Sequence, residues 1–159
     1  MTETCLNLIA GQWVPGDFST ENRNPSDVTD LIGRYASGGA DDVTRAAAAA
    51  AEAQAAWFAG GPQPRADLLD RIAALIEARA TEIGTMLARE EGKILPEAIA
   101  ETKRAAQIFR FYAGEALRIP GEALRVAGEA LTSVRPGVDV DVTREPVGVV
   151  GLITPWNFP

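Results

Sequence analysis

One seven-residue stretch constrains this chain more than any other. Val147-Gly148-Val149-Val150-Gly151-Leu152-Ile153 is almost continuously apolar, the pattern of a parallel strand covered on both faces rather than of a half-exposed strand, which alternates. Parallel strands need crossover connections and sheet neighbours. Only six residues, Thr154-Pro155-Trp156-Asn157-Phe158-Pro159, follow it. The expected fold class is α/β, incomplete, with the strand-end turn in the position where open α/β sheets bind ligands.

The rest of the 159 residues limits the chemistry. Apolar residues make up 47% and charged residues 23%, a balance that supports a packed core rather than disorder. The net charge is -7, so no excess of cations exists for phosphates or anionic lipid, and neither nucleic acid nor a membrane surface is an expected partner. Histidine is absent, which removes the commonest general base and every Ser-His, Cys-His or His-metal arrangement. The single cysteine, Cys5, admits no intrachain disulfide and no cysteine metal cluster, so no metal site is expected and the cytoplasm is the natural compartment. No cationic region precedes an apolar stretch at the start, and no run approaches the roughly 18 apolar residues of a membrane span.

Before the apolar run, Leu6 to Val14 reads as short strands around a turn at Gly11-Gln12, and Asn24-Pro25-Ser26-Asp27 as a turn before Leu31 to Tyr35. An Ala-rich helix follows from Asp41 to Ala59, with carboxylates at its start, Gly60-Gly61-Pro62 closing it, and Val43, Ala47, Ala50 and Trp57 as its apolar side. A second helical segment runs from Arg65 toward Glu91, with Leu68, Ile72, Leu75, Ile76, Ile83 and Leu87 at helical spacing. Arg79 falls near that apolar side and has to snorkel, Gly84 is the point of bending or division, and Gly92 is the stop. Pro96 suits the first turn of a third helix whose face is Ala98, Ala105, Phe109, Tyr112 and Ala116, with the aromatics Phe109, Phe111 and Tyr112 read as core. Leu131 to Val134 and the alternating Val138 to Thr143 are then β-like.

Chemistry concentrates at the last turn. Two prolines fix its backbone, Trp156 and Phe158 can wall a pocket, and the Asn157 amide is a neutral donor for an oxyanion. Alternatively, Asn157 only satisfies backbone groups in a rigid turn. Elsewhere the bland readings prevail. Glu90 and Glu91 read as a solvated helix end, Lys93 as a surface or capping charge, and Cys5 as a non-catalytic residue of a mobile arm. Gly148 and Gly151 make no phosphate loop.

The segment Arg144-Glu145-Pro146-Val147-Gly148-Val149-Val150-Gly151-Leu152-Ile153-Thr154-Pro155-Trp156-Asn157-Phe158-Pro159 resembles the stretch entering the cofactor site of the aldehyde dehydrogenase superfamily. Gly11-Gln12-Trp13-Val14, Asn24-Pro25, the helix ending in Trp57, Arg89-Glu90-Glu91-Gly92-Lys93 and Phe111-Tyr112-Ala113-Gly114 extend the resemblance in the family's order. It implies NAD- or NADP-dependent oxidation of a small-molecule aldehyde to a carboxylate. A cysteine thiolate adds to the aldehyde, hydride leaves to the nicotinamide, and a glutamate-activated water hydrolyses the thioester. On that resemblance Asn157 is the catalytic oxyanion donor, Ile153, Thr154, Pro155 and Trp156 line the cofactor, and Phe158 borders the substrate tunnel. The family's nucleophile and base have no counterpart here.

The resemblance also implies an organisation. Residues 1–127 form an N-terminal arm and the helical part of the cofactor-binding domain, 128–146 an oligomerisation β arm, and 147–159 the first strand and turn of a truncated Rossmann-like sheet. The arm implies a homo-oligomer, dimer or tetramer. Ala113 to Arg118 and Ser133 to Gly137 look most like members acting on 2,5-dioxopentanoate. The alternative is a non-catalytic oligomerisation or partner-binding module.

Overall fold

A computed structural model describes residues 4–118 and 146–158. The expected strands at Leu131 to Val134 and Val138 to Thr143, and the arm over 128–146 apart from Pro146, lie outside the described residues.

The N-terminal part is β. β2 (Asn7–Ile9) and β3 (Gln12–Val14) form an antiparallel pair with Ile9 opposite Gln12. The turn therefore falls on Ala10-Gly11, one residue before the expected Gly11-Gln12. Both residues have positive φ, 52° and 76°, the sign pattern of the primed turns whose twist suits a two-residue hairpin. β4 (Phe18–Asn24) and β5 (Asp27–Ser37) form a second hairpin, and β1 (Thr4–Cys5) adds parallel to β5 in the order β1-β5-β4. The Asn24-Pro25-Ser26-Asp27 turn is where the sequence puts it, with Asn24 opposite Asp27. The Asn24 side-chain oxygen accepts the Ser26 N–H at 2.9 Å, the local bond that makes Asn a turn initiator.

Four helices follow. α1 (Ala40–Ala59) starts at Gly39, whose N–H is accepted by the Asp42 carboxylate at 3.0 Å, satisfying one of the donors that every helix start leaves open. Gly61, at φ 77°, and Pro62 separate α1 from α2 (Pro62–Ala78), with proline in the first turn, where its missing N–H costs nothing. The single segment read from Arg65 to Glu91 is two helices, α2 and α3 (Ala80–Glu91). The break is at Arg79, φ -105° and ψ 15°, not at Gly84. Arg79 is exposed at this joint and pairs with Glu82 at 2.6 Å, so it does not snorkel.

Gly84 instead lies inside α3 facing α4 (Leu95–Arg118). A Cβ built there would sit 2.8 Å from the Ile99 Cα and 2.9 Å from its N, so the backbones meet where only glycine fits. The seam between the helices is small throughout. Ala66, Ala73 and Ala80 on the α2–α3 side and Ala98, Thr102, Ala106 and Ala113 on α4 are buried, and the buried Thr102 hydroxyl donates to the Ala98 carbonyl at 2.9 Å. Ala98 was expected there. Leu75, Phe111 and Tyr112 were expected inside, yet all are exposed, the last two as an edge-on pair with centroids 5.3 Å apart. The seam's spacing selects the neighbouring alanines, which allow closer backbone approach than the large side chains do.

Two expected apolar surfaces are open. α1 buries no residue, so Val43 and Trp57 are exposed. Val147 to Ile153 is assigned no strand and makes no ladder; Val147 is 93% and Ile153 100% exposed. A strand exists only by hydrogen bonding to a neighbour, and none lies beside it among the described residues.

The Gly84 contact can be tested against a glycine with free space. Gly84→Ala is expected to destabilise by about 1–3 kcal/mol through overpacking. Gly114→Ala, in α4 with nothing within 4 Å of its Cβ position, is expected to stabilise by about 0.5–1 kcal/mol. Urea unfolding midpoints of the two variants should move in opposite directions.

Candidate functional site

The C-terminus of α3 gathers charge from three directions. Gly92 ends the helix at φ 76°, its N–H donating to the Ala88 carbonyl, the left-handed stop that glycine makes without steric cost. The β4–β5 turn packs on it: a Cβ at Gly92 would lie 2.9 Å from Pro25 Cγ and Ser26 Oγ, and Ser26 Oγ donates to the Gly92 carbonyl at 3.2 Å. On the sheet side, Arg89 donates from Nε and Nη2 to the two oxygens of Asp30 at 2.9 and 2.6 Å, the paired geometry that makes arginine–carboxylate contacts strong. These bonds hold the Asp30 carboxyl below its ordinary pKa. Tyr35 OH donates to Glu90 Oε1 at 2.8 Å and Asn22 Nδ2 to the same oxygen at 3.1 Å. Burial, then the adjacent Glu90, pushes the Tyr35 phenol up to about 12.

Beyond Gly92 the chain turns Lys93 back beneath the helix. Its Nζ lies 2.7 Å from Glu91 Oε2 and is also paired with Glu101 on α4, and these adjacent carboxylates, the Glu101 hydrogen bond first, hold the ammonium above its ordinary pKa. The Glu91 side chain is only 7% exposed and that of Lys93 18%, so neither is the solvated surface charge that adjacent acidic residues suggest. Although the Glu91–Lys93 distance is short, neither Glu91 oxygen has a hydrogen bond of acceptable angle. The contact is Coulombic attraction without alignment.

The strand-end turn arrives at this same lysine. Lys93 Nζ donates to the Asn157 carbonyl at 3.4 Å and stands 5.0 Å above the Phe158 ring, within the range of a cation–π contact. At its other end, Gly148, at φ 105°, approaches Gln54 of α1. Between these contacts Ile153, Thr154, Pro155, Trp156 and Asn157 are exposed, Trp156 at 89%. The structure thus brings Asn157 and Phe158 to Lys93, Glu91 and Glu101, and leaves Ile153 to Trp156 as an open apolar ridge. Nothing in spacing alone flags Lys93 or Glu101, because their meeting depends on how the loop between α3 and α4 turns back toward α4. Cys5 is exposed in β1 opposite Tyr35. No group of three metal-ligating side chains is found among the described residues, and no described helix is long and apolar enough to cross a membrane.

Tyr35 provides a pH test. Its folded pKa lies above the ordinary 10.0, so the folded form keeps a proton that the unfolded form loses. Its stabilisation is complete below pH 10 and disappears as pH rises toward about 12. Tyr35→Phe is expected to flatten this alkaline loss in pH-dependent unfolding and to cost about 1–3 kcal/mol at neutral pH, by leaving Glu90 with fewer donors.

The chain is similar to proteins of known activity. Residues 13–159 match the aldehyde dehydrogenase family. An alpha-ketoglutaric semialdehyde dehydrogenase of Bacillus subtilis is 42% identical over 98% of this chain and 31% of its own length. An alpha-ketoglutarate semialdehyde dehydrogenase of Haloferax volcanii is 32% identical over 100% of this chain and 32% of its own length. The chain therefore spans about a third of the length of these relatives. Among solved structures, betaine aldehyde dehydrogenase of Staphylococcus aureus in complex with NAD+ superposes with a TM-score of 0.81 over 97% of this chain and 30% of its own, at 28% identity. Lactaldehyde dehydrogenase of Escherichia coli gives 0.73 over 86% and 28%, at 34% identity. With the family's match extending through the Asn157 turn, the chain belongs to the aldehyde dehydrogenase family.

Proposed function

We propose that this chain is the N-terminal portion of an NAD(P)-dependent aldehyde dehydrogenase that oxidises an aldehyde to a carboxylate. The observation that carries the reading is the turn itself. Asn157 is exposed beside Trp156 and Phe158, held at its carbonyl by Lys93, within the span matched to the family. In this reading the Asn157 amide donates to the oxyanion that develops when a thiolate adds to the aldehyde, and a neutral donor stabilises that charge without itself titrating. Phe158 borders the aldehyde's path.

Ile153, wholly exposed, and Trp156 present open apolar surface suited to a flat ring. Ile153, Thr154, Pro155 and Trp156 would hold the nicotinamide end. When bound, NAD(P) supplies the hydride acceptor. The nucleophilic cysteine and the glutamate base belong to sequence beyond Pro159 in this reading, since Cys5 is exposed in a different layer.

The name of the 42% identical relative supports 2,5-dioxopentanoate, oxidised to 2-oxoglutarate, as the substrate. Strand addition through 128–146 would assemble a homo-oligomer, and the single free cysteine suits a cytoplasmic protein.

Two measurements test this. The natural polypeptide isolated from its source is expected to have a mass about three times the 16.8 kDa of this chain, scaling from its share of relatives of one domain architecture, with peptides continuing past Pro159; a native mass of 16.8 kDa would refute catalysis. In that polypeptide, Asn157→Ala is expected to lower kcat for aldehyde-dependent NAD(P)H formation by about 10²–10³-fold.

A further inference from the structure

The cluster of Lys93, Glu91 and Glu101 is not explained by stability. A buried carboxylate without aligned donors costs free energy, and both Glu91 oxygens are in that state. Lys93 has three N–H donors. They reach the Glu101 carboxylate and a main-chain carbonyl 64 positions along the chain, while Glu91 faces the ammonium as an ion pair only. That carbonyl belongs to Asn157, and the next side chain, Phe158, lies under the same ammonium. No other side-chain hydrogen bond reaches residues 153–158 among the described residues.

We propose that Lys93 is a positioning residue: held by Glu91 and Glu101, it grips the Asn157 carbonyl and the Phe158 ring and so fixes the direction of the Asn157 side chain. This role rests on the reading of Asn157 as the oxyanion donor. The two carboxylates restrain the ammonium from opposite helices, and Gly92 allows the reversal that brings it inward. Gripping the main chain leaves the amide of Asn157 free to donate. The Phe158 contact adds direction, because the ring must face the cation.

The test uses the full natural polypeptide, comparing Lys93→Met and Lys93→Arg with the wild type. Hydrogen exchange of the peptide over 150–158 is expected to rise in Lys93→Met and to return toward wild type in Lys93→Arg, which retains charge and ring contact. The kcat for aldehyde oxidation is expected to fall on the order of 10²-fold in Lys93→Met, the scale of a misplaced reacting group, with KM for NAD(P) little changed. Unaltered exchange and kcat in a folded Lys93→Met would overturn the proposal. Should that variant not fold, Phe158→Leu removes the ring and leaves the lysine–glutamate pairs, and unchanged exchange over 150–158 would overturn the proposal equally. A wild-type polypeptide without aldehyde-dependent NAD(P)H formation refutes the catalytic reading itself, whereas exchange over 150–158 still decides whether Lys93 holds the turn.

Discussion

The contact of Gly84 with the backbone of Ile99 sets the geometry on which the rest depends. Because α3 and α4 meet there without an intervening side chain, the glutamates at their facing positions, Glu91 and Glu101, converge on one lysine. A wider separation would leave each to water, and Lys93 would become the mobile surface charge that its sequence context suggests. Close packing of small residues thus creates an electrostatic site. The energetic terms differ in kind: the seam gains dispersion and buries little area per residue, whereas the charges gain Coulomb energy only because the seam excludes water.

The sheet is tied to the same place by different chemistry. Asp30–Arg89, Tyr35–Glu90 and Ser26–Gly92 all cross from the β4–β5 hairpin to the last turn of α3. Consecutive residues of one helix end therefore face different partners, Arg89 and Glu90 toward the hairpin and Glu91 toward α4. The adjacency that argues against a paired-carboxylate site is what lets two acidic residues serve two interfaces.

Much of this was legible in the sequence, and the exceptions have physical causes. The Ala-rich helix, the Asn24–Asp27 turn, the Gly92 stop and the Asn157 motif carry local signals: composition, turn chemistry, a left-handed position, a family pattern. The joint at Arg79 carries none, since neither glycine nor proline marks it. Leu75, Phe111 and Tyr112 were misplaced because helical periodicity identifies an apolar face but not whether alanine or a large residue occupies the closest approach. Burial of Glu91 and Lys93 was invisible because it depends on α4 folding back to bring Glu101 to the lysine and on Phe158, which is distant in sequence. The apolar run at 147–153 was read for its burial pattern, and a strand's bonds lie with its neighbours.

That run also illustrates how a chain guards a segment it cannot yet pair. Val147 to Ile153 combines β-branched residues, no charge and broad exposure of its large side chains, from 45% at Val149 to 100% at Ile153, the ingredients of intermolecular cross-β stacking. Yet it is bracketed by Pro146 and Pro155 and interrupted by Gly148 and Gly151, with Gly148 at a φ of 105° that no regular strand adopts. Prolines at both ends withhold the N–H groups that a growing fibril would need, and glycine lowers the gain from stacking identical side chains. The same residues that shape the approach to the turn act as gatekeepers against self-association.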